Sequence, residues 1–221
     1  VSHFRPGVDF ARISLLNTFL TFFAIVYALP RKLLRVVCTA GVLLQMFVLM
    51  FFLQIGMLIY FLSHRVSETE RLRFHALIQR IARTLLRLLP GIKTRFDNPQ
   101  GEHFAQPSII ISNHQSHLDL LCILALTPRM VILIKRWVWY NPLYAVAIRF
   151  AEYLPVTRNI EDNEQRIAGL VKRGYSVMLF PEGTRSASLK VQRFHQGAFY
   201  LAKRFQLDIV PVLLYGTGHV L

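Results

Sequence analysis

Hydrophobic and polar positions divide this chain into two parts with different rhythms. In the first, Ile13 to Leu29 carries no charge and is rich in Leu and Phe, and Val36 to Leu62 is interrupted by nothing more polar than Gln45 and Gln54. As a helix, about 20 apolar residues span the roughly 30 Å of a bilayer's hydrocarbon. The second run therefore predicts a transmembrane helix, while Asn17 and Thr18 dilute the first. With Pro30-Arg31-Lys32 as a basic break, the pair is expected to form a membrane-embedded helical hairpin, in preference to a single span. No short apolar core followed by a small-residue cleavage site marks a signal peptide. Arg71 to Leu89 then has helical period, with Phe74, Leu77, Ile78, Ile81, Leu85 and Leu88 on one side and Arg73, Arg80, Arg83 and Arg87 on the other. Two readings stay open: a helix lying in the membrane interface, or a core helix with a solvated arginine face. Pro90-Gly91 stops it.

From Ile92 the period changes. Strands are expected at Ile92–Phe96, Ser108–Ser112, Met130–Ile134, Tyr153–Thr157, Ser176–Phe180 and Ile209–Leu214. Helices are expected between them, at Ser116–Leu126, Pro142–Phe150, Glu161–Arg173 and Phe194–Phe205. Such alternation argues for an α/β sheet covered by helices, whose sites gather beyond the carboxyl ends of the strands. Two polar clusters, Asn113–Asp119 and Pro181–Arg185, emerge at such ends. The expected organisation is a membrane-embedded segment over residues 1–66 and a folded domain over 67–221. Opening on Val1 and closing on Leu221 just after a strand-like run, the sequence reads as an excerpt of a longer polypeptide, with the domain cut short at its carboxyl end.

Composition narrows the partners. Across 221 residues the hydrophobic fraction is 53% and the formal net charge is +14. Disordered basic tails are poor in apolar residues, so this pairing points to a membrane with anionic headgroups, or to an anionic substrate there. Nucleic acid is disfavoured, because the arginines follow a membrane segment and no recognisable binding module accompanies them. Cys38 and Cys122 both lie in apolar runs and offer no disulfide framework. The basic cluster after Leu62 (Arg65, Arg71, Arg73, Arg80, Arg83 and Arg87) outweighs Arg31, Lys32 and Arg35, which favours a cytoplasmic carboxy-terminal domain. A hairpin entering and leaving one face would satisfy both clusters.

The candidate chemistry begins at His114-Gln115-Ser116-His117-Leu118-Asp119. In one regular helix, residues five apart are rotated roughly 140° from each other. His114 and Asp119 can meet only if the histidine sits in a turn and the aspartate in the helix after it. A carboxylate touching an imidazole fixes its tautomer and stabilises its protonated form, as a general base requires. Ser116 lacks a Gly-x-Ser-x-Gly elbow, and Cys122 follows leucines as a core residue would. His114, His117 and Asp119 lack the spacing and the further ligand of a strong zinc motif, so no metal site is expected. In the second cluster, Phe180-Pro181-Glu182-Gly183-Thr184-Arg185-Ser186, Gly183 permits close backbone approach, Thr184 and Ser186 supply hydroxyls, and Arg185 offers a planar fork for phosphate. Alone, such a loop could equally be a turn with a surface arginine. Lys135 adds positive potential, or is a solvated strand end.

Asn113-His114-Gln115-Ser116-His117-Leu118-Asp119, followed some sixty residues later by Phe-Pro-Glu-Gly-Thr-Arg-Ser, closely resembles the glycerolipid acyltransferase family, and within it the 1-acylglycerol-3-phosphate acyltransferases that make phosphatidic acid. The resemblance covers roughly Arg71 to Tyr215. Tyr153-Leu154-Pro155-Val156-Thr157-Arg158 matches a weaker block and puts Arg158 in the family's arginine position; Ile209-Val210-Pro211-Val212 matches the last strand. Departures are Ala151-Glu152-Tyr153, where a glycine is usual, and Phe194-His195-Gln196-Gly197, which replaces a commoner lysine-bearing segment.

The resemblance implies a mixed α/β sheet flanked by helices, of the glycerol-3-phosphate acyltransferase type, behind the membrane hairpin. It implies an O-acyltransferase with no bound cofactor, using acyl-CoA or acyl-carrier protein as co-substrate. His114 would take a proton from the acceptor hydroxyl as it attacks the thioester, and Asp119 would orient His114. Arg158 and Arg185 would hold the acceptor phosphate, with Glu182, Gly183 and Thr184 completing that loop. The implied partners are membrane lipids, a lysophospholipid acceptor and the acyl donor; lysophosphatidic acid leads, ahead of glycerol 3-phosphate and lyso-aminolipids. The rival class is a non-catalytic lipid-binding domain fused into a larger membrane transport protein.

Overall fold

The structure, a computed structural model, describes residues 31–89, 93–157, 160–186 and 190–219. The chain divides into two compact units, Val1–Leu53 and Gln54–Leu221. Helix α1 (Arg31–Ser63) begins in the first, where Leu44, Phe47, Val48, Phe51 and Phe52 are exposed. The first arm of the expected hairpin, Ile13–Leu29, lies outside the described residues. Side chains of α1 are described without interruption only from Phe51 to Ser63. Among the described residues, no helix is long and apolar enough to cross a membrane. The hairpin is therefore not shown, and the last turns of α1 belong to the second unit. Gln54 is buried there, its side-chain oxygen accepting the N–H groups of Val146 (3.0 Å) and Ala147 (3.2 Å).

The second unit is built on a five-stranded sheet. Its strands are β1 (Ile109–Ser112), β2 (Met130–Ile134), β3 (Leu154–Pro155), β4 (Ser176–Leu179) and β5 (Ile209–Val212), in the order β3-β2-β4-β1-β5. Every pairing is parallel, which corrects the mixed sheet expected from the sequence. The physical cause is that each strand is followed by helical structure carrying the chain back across a face before the next strand begins. The central strands β1 and β4 are buried along their whole length, as continuous apolar runs in a covered parallel sheet should be. β5 is an edge strand and tolerates Pro211, which cannot donate to a ladder. Lys93–Phe96 forms no strand and is exposed; only the apolar period had suggested one.

Helices α3 (Leu118–Leu124), α4 (Arg136–Tyr140), α5 (Ala145–Phe150), α6 (Glu164–Lys172) and α7 (Gly197–Phe205) link the strands. Ile123, Ile167, Ala198 and Leu201 enter one core with β1, β2 and β4. Before them, α2 (Glu68–Leu88) opens on a capping box, Ser67 with Glu70. Its inward face is His75, Gln79, Ala82 and Leu86, with Phe74 packed on Phe150, rather than the apolar stripe that the core-helix reading would turn inward. Gln79 and Arg83 donate to the carbonyls of Leu126 (2.9 Å) and Ala125 (2.8 Å), at the end of α3. The rest of the stripe points mostly outward: Leu77 is 51% exposed, Ile81 49%, Leu85 44% and Leu88 72%.

Candidate active site

β1 and β4 are neighbours in register, Ile111 opposite Leu179, so the two polar clusters leave the sheet side by side. Ser112 ends β1, and the chain turns through Asn113 to His117 before α3 begins. This turn puts His114 over the first turn of α3, where its Nδ1 lies 3.0 Å from Asp119 Oδ2. The same oxygen accepts the backbone N–H of Gln115 (2.5 Å) and of Ser116 (2.8 Å). Asp119 is fully buried. Burial by itself pushes its carboxyl up, but hydrogen bonding from His114 and from the Ser116 and Gln115 N–H groups, with the Thr217 hydroxyl acting in the same direction, outweighs that and holds its pKa below the ordinary value.

Asp119 is thus a carboxylate and can only accept. Nδ1 of His114 therefore carries the hydrogen, leaving the lone pair on Nε2. That nitrogen has no hydrogen-bond partner among the described residues. The ring is held flat against Phe180, with centroids 4.0 Å apart and planes 14° apart. An oriented imidazole with an available basic nitrogen results.

The loop after β4 is bolted to this turn. Glu182 is buried; its Oε1 accepts the His114 N–H at 2.9 Å and its Oε2 the Gln192 N–H at 2.8 Å. Ser186 N–H donates to the His114 carbonyl at 2.8 Å. Gly183 has φ +68° and would bring a Cβ to 3.2 Å from the His195 ring, so both backbone and space ask for glycine. Gly183, Thr184 and Arg185 are exposed at the rim. Arg185 Nη1 lies 2.6 Å from Nε2 of His117, so a neutral His117 accepts from the guanidinium. His117, three residues after the candidate base, has no role in the sequence motif beyond the rejected metal string. Its role shows only through its contact across the two loops.

The chain spans about half or less of the curated relatives it matches. The model of the acyltransferase family matches residues 93–215. This chain belongs to the acyltransferase family. Its relatives include the chloroplastic 1-acyl-sn-glycerol-3-phosphate acyltransferase BAT2 of Brassica napus, 30% identical over 159 residues (70% of this chain, 46% of that protein). Another is the beta form of that enzyme from Homo sapiens, 29% identical over 129 residues (56% and 46%). In fold, this chain is similar to the crystal structure of the 1-acyl-sn-glycerophosphate acyltransferase PlsC of Thermotoga maritima, with TM-score 0.61 and 22% identity over 87% of this chain and 79% of that one. The family resemblance read from the two motifs is therefore correct, and the α/β architecture is shared.

Of the candidate residues, His114, Asp119, Glu182, Gly183, Thr184 and Arg185 converge on the ends of β1 and β4 of this acyltransferase-family domain. Arg158 lies outside the described residues. Lys135 caps the start of α4, exposed. Cys122 is buried, and its thiol is pushed up by burial and then by the Asp119 charge, which leaves it a protonated core residue. Sequence reasoning passed over Asn113 and Thr217. Asn113 exchanges two hydrogen bonds with the Leu214 backbone, at 2.8 and 2.9 Å. Its position just before His114 was the available signal; nothing in the sequence marked Thr217.

Proposed function

We propose that this acyltransferase transfers a fatty acyl group from an acyl thioester to the free hydroxyl of a lysophospholipid, 1-acylglycerol 3-phosphate being the leading acceptor and phosphatidic acid the product. The observation that carries the reading is the buried Asp119 carboxylate on Nδ1 of His114 at 3.0 Å, with Nε2 open beside the arginine-bearing loop. Nε2 takes the acceptor's hydroxyl proton as the oxygen attacks the thioester carbonyl. Asp119 stabilises the imidazolium that forms. The carbon–sulfur bond then breaks, and the imidazolium returns its proton to the departing thiolate. Both hydroxyl and thioester are consumed directly, without an acyl-enzyme. Arg185 and Arg158 take the acceptor phosphate, and a phosphate displaces His117 from the guanidinium because a charged acceptor outcompetes a neutral one.

The reaction takes place at a membrane, with residues 67–221 as the catalytic domain on the cytoplasmic face and the preceding residues as its attachment. Supporting this are the exposed apolar residues of α1, the outward stripe of α2 flanked by Arg73, Arg80 and Arg87, and the named 1-acyl-sn-glycerol-3-phosphate acyltransferases among the relatives.

The test offers the membrane-reconstituted protein labelled acyl-CoA or acyl-carrier protein and a panel of lysophospholipids and glycerol 3-phosphate. His114→Ala is expected to slow transfer by on the order of 10²–10⁴-fold. Equal transfer by wild type and variant would end the proposal. Arg185→Ala and Arg158→Ala should raise KM for the acceptor and leave that for the donor unchanged.

A further inference from the structure

Asp119 uses its two oxygens unequally. Oδ2 accepts three hydrogens, from His114, Gln115 and Ser116, while Oδ1 is sealed from solvent with no hydrogen bond of standard geometry. A second buried polar atom in the described structure has the same deficit, the Thr217 hydroxyl oxygen. It lies close enough to the carboxylate to lower the Asp119 pKa. Orphaned buried polar groups are costly, and one hydrogen bond from this hydroxyl to this carboxylate oxygen would satisfy both at once.

The chain leading to Thr217 is constrained from the site itself. Asn113 clamps Leu214 through both its carbonyl and its amide. Gly216, at φ +82°, then reverses the backbone into the short 3-10 turn Thr217–His219, closed by the His219 N–H on the Gly216 carbonyl at 3.2 Å. Asn113 precedes His114, so one residue aims the base on one side and the Thr217 turn on the other.

We propose that Thr217 is a positioning residue for the His114–Asp119 pair: its hydroxyl donates to Asp119 Oδ1 and fixes the carboxylate plane so that Oδ2 addresses Nδ1. This inference rests on the reading of that pair as base and orienting carboxylate. Three donors on one oxygen leave the carboxylate able to pivot about Oδ2; a donor on Oδ1 removes that freedom.

The experiment compares Thr217→Val, which keeps the shape and deletes the hydroxyl, with Thr217→Ser and His114→Ala, all in the full membrane-reconstituted chain. Thr217→Val is expected to lower kcat about tenfold, the loss of one hydrogen bond to a charged group, with both KM values unchanged. Thr217→Ser is expected to turn over like wild type. If Thr217→Val does not fold, Thr217→Ala supplies the same contrast with Thr217→Ser. Wild-type turnover by His114→Ala overturns the reading of the pair, and the Thr217 role with it. A slow His114→Ala overturns the Thr217 inference alone if Thr217→Val has wild-type kcat, if its defect lies in KM, or if Thr217→Ser is equally slow.

Discussion

Changing Glu182 to glutamine keeps the side chain's shape and removes one acceptor. In the native loop each carboxylate oxygen takes one backbone N–H, from His114 at 2.9 Å and Gln192 at 2.8 Å, with the residue 2% exposed. Glutamine can serve only one of the two; its NH2 faces the other as donor against donor. The lost bond to a charged acceptor is worth about 1.5–3 kcal/mol, and the buried N–H left without a partner costs about 1–3 kcal/mol more. The combined effect, about 2.5–6 kcal/mol, can be expressed in two ways. If the loop stays shut, the whole loss falls on unfolding, and at about 2–4 °C per kcal/mol for a domain of this size the melting midpoint drops by roughly 5–24 °C. If the loop opens, the midpoint falls less, but the His114 backbone loses its anchor and kcat falls. Thermal unfolding followed by circular dichroism, beside acyl-transfer kinetics on the same preparation, separates the two. A Glu182→Gln protein with wild-type midpoint and wild-type kcat refutes the strut.

Further predictions follow from the same geometry. Gly183→Ala puts a Cβ into left-handed backbone and against the His195 ring; it should cost about 1–2 kcal/mol of unfolding free energy and slow transfer, and a variant more stable than wild type would contradict the assigned backbone. His75 is buried with Nε2 3.1 Å from the Ala151 carbonyl, and burial lowers its pKa to about 4. Its stabilising contribution is therefore complete above the unfolded value near 6.5 and fades as pH falls toward about 4, by roughly 3 kcal/mol at the acid end. Denaturant titrations from pH 7 to 4 should show this slope, and His75→Gln should flatten it. Asp119, with its pKa held low, adds an acid-labile component only below about pH 4. On α2, Ile81→Asp with Leu85→Asp should release the second unit from anionic vesicles without shifting its unfolding midpoint; undiminished sedimentation with vesicles would take that stripe out of membrane attachment.

Much of the sheet was legible because β1, β2 and β4 are apolar runs bounded by turn residues, and the expected strands overlie them. Parallel pairing was legible in principle from the helix after each strand. α4 was not, since Arg-Trp-Val-Trp-Tyr is too short to show a helical period. Which side of α2 turns inward could not be read from hydrophobicity at all. His75 and Gln79 go inside because the Ala151 and Leu126 carbonyls await them there, and those partners lie far off in the chain. The candidate site divides the same way. Residue types that carry chemistry (His114, Asp119, Arg185) stand out in the sequence. Asn113 is marked by its place beside His114, whereas the contact of His117 with Arg185 and the burial of the Thr217 hydroxyl become visible only after folding.

The strand order has a consequence in time as well as in space. During synthesis β1 and β2 appear first, yet they never touch; β4, more than forty residues later, slots between them. Until it arrives, a nascent chain holds two apolar strands with an unfilled berth between, and His114 has no Glu182 to seat it. The domain thus cannot be half-competent. Long-range pairing of this kind is slow and leaves strand edges open to wrong partners, and any device that shields the β1 and β2 edges until residue 179 is available governs how much of the chain reaches its folded form.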